Sequence, residues 1–314
     1  MNNKPLVIIT GPTAVGKTEL SIELAKHING EIISADSMQV YKGMDIGTAK
    51  ITAEEMQGVT HHLIDVLEPT EDFNVFLFKN MAKKAIENIY SENKIPIIVG
   101  GTGFYIQAVL YDIEFSEGEQ DNSYRDELRR IADENGPEFL HNMLHEVDPD
   151  AASSIHFNNV KRVIRALEFH KQTGEQISKH NTDQKQRSSP YDFLYFCLND
   201  KRERIYSRID ARVDSMIENG LVDEVKRLMD EGCTADMVSM KGLGYKEIIE
   251  YLDGKITLEE AIYILKRDTR HFAKRQLTWF KHERDVIMID YSCFADRKSA
   301  CNHVIDTVSK KFLI

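Results

Sequence analysis

"PLVIITGPTAVGKT" occupies residues 5–18. Its first six residues form an apolar run that suits a buried strand. The eight that follow, GPTAVGKT (11–18), fit glycine, four residues, glycine, lysine, then serine or threonine, the pattern of a loop that cradles phosphate. Glycines let such a loop turn tightly so that several backbone N–H groups point inward. The next helix then presents its positive end to the same anion. The cradle comprises Gly11, Pro12, Thr13, Ala14, Val15, Gly16, Lys17 and Thr18. Lys17 adds a point charge on a diphosphate, and the Thr18 hydroxyl is the type that reaches Mg2+. A nucleotide such as ATP is the default occupant of a loop of this kind.

Outward from the loop, short apolar runs recur at 6–10, 31–34, 62–66, 95–99, 193–198 and 286–290. Between the early ones, 18–27 and 75–90 repeat apolar residues at helical spacing. Near-continuous apolar strands alternating with helices predict a parallel sheet covered on both faces. The fold class is therefore α/β, a phosphate-loop parallel sheet flanked by helices. From about residue 113 the strand signal stops and helical segments run to the polar stretch KHNTDQKQRSSP (179–190). That pattern predicts a helical insertion at 113–192 within a core formed by 1–112 and 193–314, whose C-terminal part is again largely helical.

The chain has 314 residues and a formal net charge of −11, which argues mildly against nucleic acid as a partner, although a local basic stripe can sit on an acidic protein. The four cysteines lack any C-x-x-C pair, and Cys293, Cys301 and His303 are not spaced as a zinc site, so reduced thiols are expected. No signal peptide or apolar stretch of membrane length is present, and a cytoplasmic protein is expected.

Two further turns follow predicted strands. IISADSMQVYKGMDIGTAK (32–50) breaks from a buried strand into small and polar residues, and VGGTGFY (99–105) carries a third glycine-rich turn. Residues just past strand C-termini line the ligand crevice of such a sheet, which puts Asp36 and Ser37 in the cleft of Lys17. Composition alone reads ADS equally well as a turn or helix cap. Asp65 and Asp290 each end an apolar run, as the Mg2+ carboxylate of a nucleotide hydrolase does. Either also reads as a turn or cap residue.

The segments GPTAVGKT, ADSMQVYKGMDIGTAK, HHLIDV, GGTGFYIQA, NNVKRVIRALE, RIDARVDSMIENGLVDEV, GLGYKE and TRHFAKRQLTWF, in order from 11 to 280, resemble the bacterial tRNA dimethylallyltransferase (tRNA isopentenyltransferase) family. The resemblance implies an enzyme that moves a dimethylallyl group from dimethylallyl diphosphate to N6 of the adenosine immediately 3′ of the anticodon, releasing diphosphate. The loop then holds the donor's diphosphate rather than a nucleotide, with Mg2+ at Thr18. Asp36, by its strand-end position and its match to the family's aspartate, is the general base. Arg208 matches the family's diphosphate clamp, with Arg212 a weaker match. Ser37, Met38 and Gln39 join Asp36 in the tRNA-binding stretch, and a glutamine there has the groups to pair with adenine. Thr102, Arg125 and the turn of Lys241, Gly242 and Gly244 match further tRNA contacts. Partners implied are the tRNA anticodon stem-loop and dimethylallyl diphosphate; a monomer without membrane association is expected.

Two basic stretches suit the RNA. Lys161, Arg162 and Arg165 cluster in one; residues 267, 270, 274 and 281 recur at helical spacing in the other and predict one positive face, interleaved with Phe272, Trp279 and Phe280, of which most are expected in the core. Arg208 and Arg212 also read as an exposed charge ladder with Asp210 and Asp214. The alternatives are an adenylate isopentenyltransferase using free AMP or ATP, a small-molecule kinase on the same scaffold, and a non-catalytic RNA-binding protein.

Overall fold

A computed structural model describes residues 4–115 and 123–314. The chain divides into two compact units, one made of 1–110 with 190–314 and the other of 111–189.

The first unit opens with β1 (Pro5–Thr10), α1 (Lys17–Ile28), β2 (Gly30–Ala35), a single turn α2 (Ala53–Met56), β3 (His61–His62), α3 (Val75–Ser91), β4 (Ile95–Gly100) and α4 (Gly103–Leu110). The second unit holds α5 (Ser123–Asn135), α6 (Pro137–Val147), α7 (Pro149–Ser154), α8 (Val160–Thr173) and α9 (Ile177–Gln186). The chain then re-enters the first unit with β5 (Asp192–Asn199), α10 (Arg202–Glu218), α11 (Leu221–Asp230), α12 (Tyr245–Leu252), α13 (Leu258–Phe280), β6 (Val286–Asp290) and α14 (Arg297–Phe312).

All strand pairings are parallel, and the order across the sheet is β3-β2-β4-β1-β5-β6. The apolar runs dictate this: both faces of β1 are buried, as a strand covered by helices on either side requires. On one face Leu20, Leu24 and Ile28 of α1 and Val304 and Val308 of α14 pack with Val7, Ile9, Ile97 and Phe196. Elsewhere in the same unit, Phe78 of α3 stacks on Tyr105 of α4 at 4.7 Å between ring centroids, and Phe73 meets both rings edge-on.

One expected strand is shortened. Of residues 62–66 only His62 is in β3, because Leu63 (φ 63°) and Asp65 (φ 53°) are left-handed and break the extended run. The second unit has its own core of Leu128, Leu140, Leu144, Val163 and Leu167. Buried Asp148 organises it, accepting the N–H of Ala151 at 3.0 Å to cap α7 and the hydroxyl of Ser178 at 2.6 Å. No helix among the described residues is long and apolar enough to cross a membrane.

Candidate active site

The crevice follows from the strand order. Consecutive strands lie on opposite sides of β1, so the loop after β1 stands at the sheet's switch point, with the ends of β2 and β4 beside it. The loop leaves the sheet at Gly11, whose φ is 137°; a Cβ there would lie 2.5 Å from the carbonyl oxygen of Leu198, so only glycine allows this approach to β5. Ala14 packs with Ile205 and Ile209 of α10 and Ala273 of α13, which fixes the loop's crown between two helices. No hydrogen bond within the described chain claims the N–H groups of Gly16, Lys17 or Thr18.

Lys17 Nζ donates to the carbonyls of Gly11 (3.0 Å) and Pro12 (2.9 Å), so its ammonium stays inside the loop. Desolvation, and then the neighbouring Arg212 guanidinium, push its pKa down to about 8, while Asp36 pulls it upward. Lys17 and Asp36 are thus electrostatic neighbours across the crevice. Asp36 Oδ1 accepts the N–H groups of Met38 (2.8 Å) and Gln39 (3.3 Å); Oδ2 accepts none. Turn and cleft readings of ADS therefore coexist: one carboxylate oxygen makes the turn and the other is unclaimed. Thr102 caps the start of α4 through its carbonyl, which accepts from Tyr105 and Ile106, and its own N–H reaches Ala35 at 3.4 Å.

The two candidate arginines of α10 have different partners. Arg212 Nη1 lies 3.3 Å from the Thr13 hydroxyl, directly on the loop, and burial holds its pKa below the usual guanidinium range. Arg208 Nη2 instead pairs with Asp200 at 2.9 Å. The ladder reading does not hold, because Asp210 and Asp214 face another helix: they pair with Arg270 (2.5 Å) and Lys266 (2.6 Å) of α13. Arg270 is thereby removed from the expected positive face, and Arg267 pairs with its neighbour Asp268 at 2.8 Å. Lys274, Arg275 and Lys281 remain exposed. Phe280 is buried, whereas Trp279 is 38% exposed and lays its indole nitrogen over Gly103.

Other expected RNA contacts are occupied within the protein. Gln39 Nε2 donates to the carbonyls of Thr48 (3.2 Å) and Ala49 (3.3 Å), so its amide nitrogen holds the neighbouring turn. Arg125 makes a two-point ion pair with buried Glu168, at 2.8 and 3.0 Å. Lys241 Nζ donates to the Asp236 carbonyl. Gly242 gives close approach to the Met38 side chain, where a Cβ would lie 2.6 Å from Cε, and Gly244 takes φ 98° to start α12. Gly242 thus lies against Met38, and Gly244 against Gly47 and Leu221. Lys161, Arg162 and Arg165 are exposed on α8. Asp65 is a turn residue that pairs with Lys50, and Asp290, the last residue of β6, is a cap that accepts the Ser292 N–H and the Asn199 amide at 2.9 Å.

Three residues escape sequence reasoning. Gln276 of α13, buried, accepts the Thr13 N–H through Oε1 (2.9 Å) and donates through Nε2 to the Gly101 carbonyl (3.0 Å), joining the first and third turns. Glu224 of α11, buried, accepts the N–H groups of Asp45 (2.9 Å), Ile46 (2.8 Å) and Gly47 (3.0 Å) and the Tyr245 hydroxyl (2.7 Å). Lys50, with a side chain 4% exposed, donates to the Tyr41 carbonyl and pairs with Asp45 and Asp65. A lone buried Gln, Glu or Lys has no pattern in sequence that foretells its distant partner.

All four cysteines are free thiols: Cys197 and Cys233 are buried, Cys301 half-buried and Cys293 exposed. Among the described residues no three His, Cys, Asp or Glu side chains form a metal-binding group.

A family model described as IPP transferase matches residues 39–283. A tRNA dimethylallyltransferase from Lachnoclostridium phytofermentans is 59% identical over 311 residues, covering 99% of both chains. Among solved structures, the full-length tRNA isopentenylpyrophosphate transferase from Bacillus halodurans superposes with a TM-score of 0.74 at 47% identity, covering 98% of this chain and 96% of that one. A eukaryotic dimethylallyltransferase acting on tRNA gives a TM-score of 0.84 at 33% identity, covering 99% of this chain and 79% of that one.

Proposed function

Because the chain belongs to the IPP transferase family of tRNA dimethylallyltransferases, we propose that its crevice carries a dimethylallyl group from dimethylallyl diphosphate to an adenosine of tRNA. The protein is a tRNA-modifying prenyltransferase, and no observation favours the nucleotide-hydrolase, kinase or free-adenylate readings. The acceptor atom is the exocyclic N6 of the adenosine immediately 3′ of the anticodon. The observation that carries this reading is the neighbourhood of Lys17 and Asp36: one cleft pairs a desolvated cation on a phosphate loop with a carboxylate whose second oxygen is unclaimed.

Each residue has a distinct task. The inward N–H groups of Gly16, Lys17 and Thr18, the Lys17 ammonium and the Arg212 guanidinium meet the diphosphate, and they stabilise it most as the allylic C–O bond breaks and charge collects on the leaving oxygen. Lys17 has to leave the carbonyls of Gly11 and Pro12 to do so. The adenine amine is a poor nucleophile because its lone pair is delocalised into the ring. Asp36 Oδ2 accepts the N6 proton as the new C–N bond forms, while Oδ1 stays fixed by Met38 and Gln39. The acceptor base must leave its stack to reach this cleft.

Magnesium fits in one way. The Thr18 hydroxyl is exposed on the first turn of α1 and makes no hydrogen bond within the described chain, and no cluster of metal-binding side chains surrounds it. Thr18 would hold the ion together with the diphosphate's own oxygens. When bound, it supplies charge neutralisation on the leaving group.

The test is transfer of label from radiolabelled dimethylallyl diphosphate to unmodified tRNA, AMP or ATP. Label in tRNA alone, on the adenosine beside the anticodon, is the expected result. Label in a free nucleotide, or in none of the three, overturns the reading.

A further inference from the structure

A second recess opens at the C-terminal ends of β5 and β6, on the far side of the loop from β4. Four cations line it: Lys201, Arg204, Arg208 and Arg297. They face two lining carboxylates, Asp200 and Asp296. Neither acid offsets the set fully. Asp296 is spent on α14, accepting the Ser299 N–H at 2.7 Å. Asp200, buried at the end of β5, accepts the Lys201 N–H at 2.8 Å and holds Arg208 Nη2 at 2.9 Å, with Arg204 at 3.5 Å.

Three observations point to an anion. The guanidinium of Arg208 is only partly satisfied: Nη2 is held by Asp200, while Nη1 is buried with no partner, so the group keeps unspent positive charge at the recess wall. Lys201 immediately precedes α10 and Arg297 is the first residue of α14, helices of 17 and 16 residues, so both cations stand where a helix begins beside the recess. Arg297 is held in place from behind, donating to the Val15 carbonyl at 3.1 Å and pairing with Glu19 at 3.2 Å, which makes it a wall between recess and loop.

We propose that this recess is a second phosphate-class anion site, separate from the diphosphate loop, that takes inorganic phosphate or diphosphate. A recess of about 250 Å³ with four cations on its walls matches the size and charge of a small free anion, whereas an RNA backbone needs an extended track. Diphosphate is also the product released one wall away, so occupation of the recess by product is the natural circumstance for its use.

The experiment is calorimetric titration of the full chain with sodium phosphate and, separately, with sodium diphosphate, without donor or tRNA. Diphosphate is expected to fill two classes of site, one lost in Lys17→Ala and the other weakened at least about 10-fold in Lys201→Ala/Arg204→Ala. Phosphate bound in the recess is expected to survive Lys17→Ala. Arg204→Lys should retain the recess site and Arg204→Glu should lose it, with melting curves of both variants confirming the fold. A single class of site that disappears in Lys17→Ala, or binding indifferent to the charge at 204, overturns the proposal. Because no prenyl transfer is read, this outcome is independent of the test of function.

Discussion

The side-chain oxygen of Gln276 accepts the backbone N–H of Thr13 at 2.9 Å, while its nitrogen donates to the Gly101 carbonyl at 3.0 Å. One buried amide therefore sets the spacing between the diphosphate loop and the turn beside Thr102. Gln276→Leu leaves two backbone groups unpaired, each costing about 1–3 kcal/mol. The expected result is a 10- to 100-fold loss in kcat/KM for the donor, with Gln276→Glu retaining the Thr13 bond and losing the other. Steady-state kinetics of both variants check this.

Asp36→Asn keeps an oxygen for Met38 and Gln39 but removes the base. The turn should survive and transfer should slow by about 10²- to 10⁴-fold. Donor binding, followed by fluorescence or calorimetry, should be nearly unchanged. Asp36→Ala loses the turn as well, and is expected to weaken tRNA binding in addition to rate.

Lys17 titrates near 8 in the free protein, lowered by burial and by Arg212. The ammonium that grips the diphosphate is present below that pH and lost above it, so donor KM should rise as pH passes upward through about 8. Stability runs the other way. The unfolded chain binds the extra proton between about 8 and the ordinary lysine value, so folding gains stability as pH rises through that window. Lys17→Met should remove both dependences, read by KM profiles and by melting temperature against pH.

Burial raises the Glu283 carboxyl to about 7, only partly countered by the Gln107 amide at 2.6 Å. Its second oxygen is buried without a partner. The folded state holds this proton between about 4.5 and 7, so stability contributed by the acid form falls as pH rises across that range. Glu283→Gln should raise the melting temperature at pH 8 and change it little at pH 5.

Glu224 organises residues 45–47 from below, through three backbone N–H groups and Tyr245. Glu224→Leu strands all four donors and should destabilise the protein by about 3–5 kcal/mol. Limited proteolysis should then cut first within 43–50.

The sheet was legible because parallel strands buried on both faces announce themselves as unbroken apolar runs, and GPTAVGKT fixed which strand ends carry the site. The cleft position of Asp36 followed from the same rule. Charged side chains were harder. Asp210 and Asp214 sit at ladder spacing from the α10 arginines, yet their partners lie on α13, 60 residues on in the case of Arg270. Arg125 and Gln39 are residue types that bind RNA, yet each also has a partner inside the protein that no local pattern announces: Glu168 for one, the Thr48 and Ala49 carbonyls for the other. Gln276 lies 263 residues from Thr13, and nothing local marks that partnership. Local periodicity encodes which face is buried; it does not encode which polar group on that face meets which.

Cys197 lies on β5 in register with Thr10, the last strand residue before the loop. Burial lifts its thiol to about 12, even with Lys17 pulling the other way. An allylic diphosphate is an alkylating agent, and this sulfur, with no exposed surface, lies out of its reach beneath the cradle.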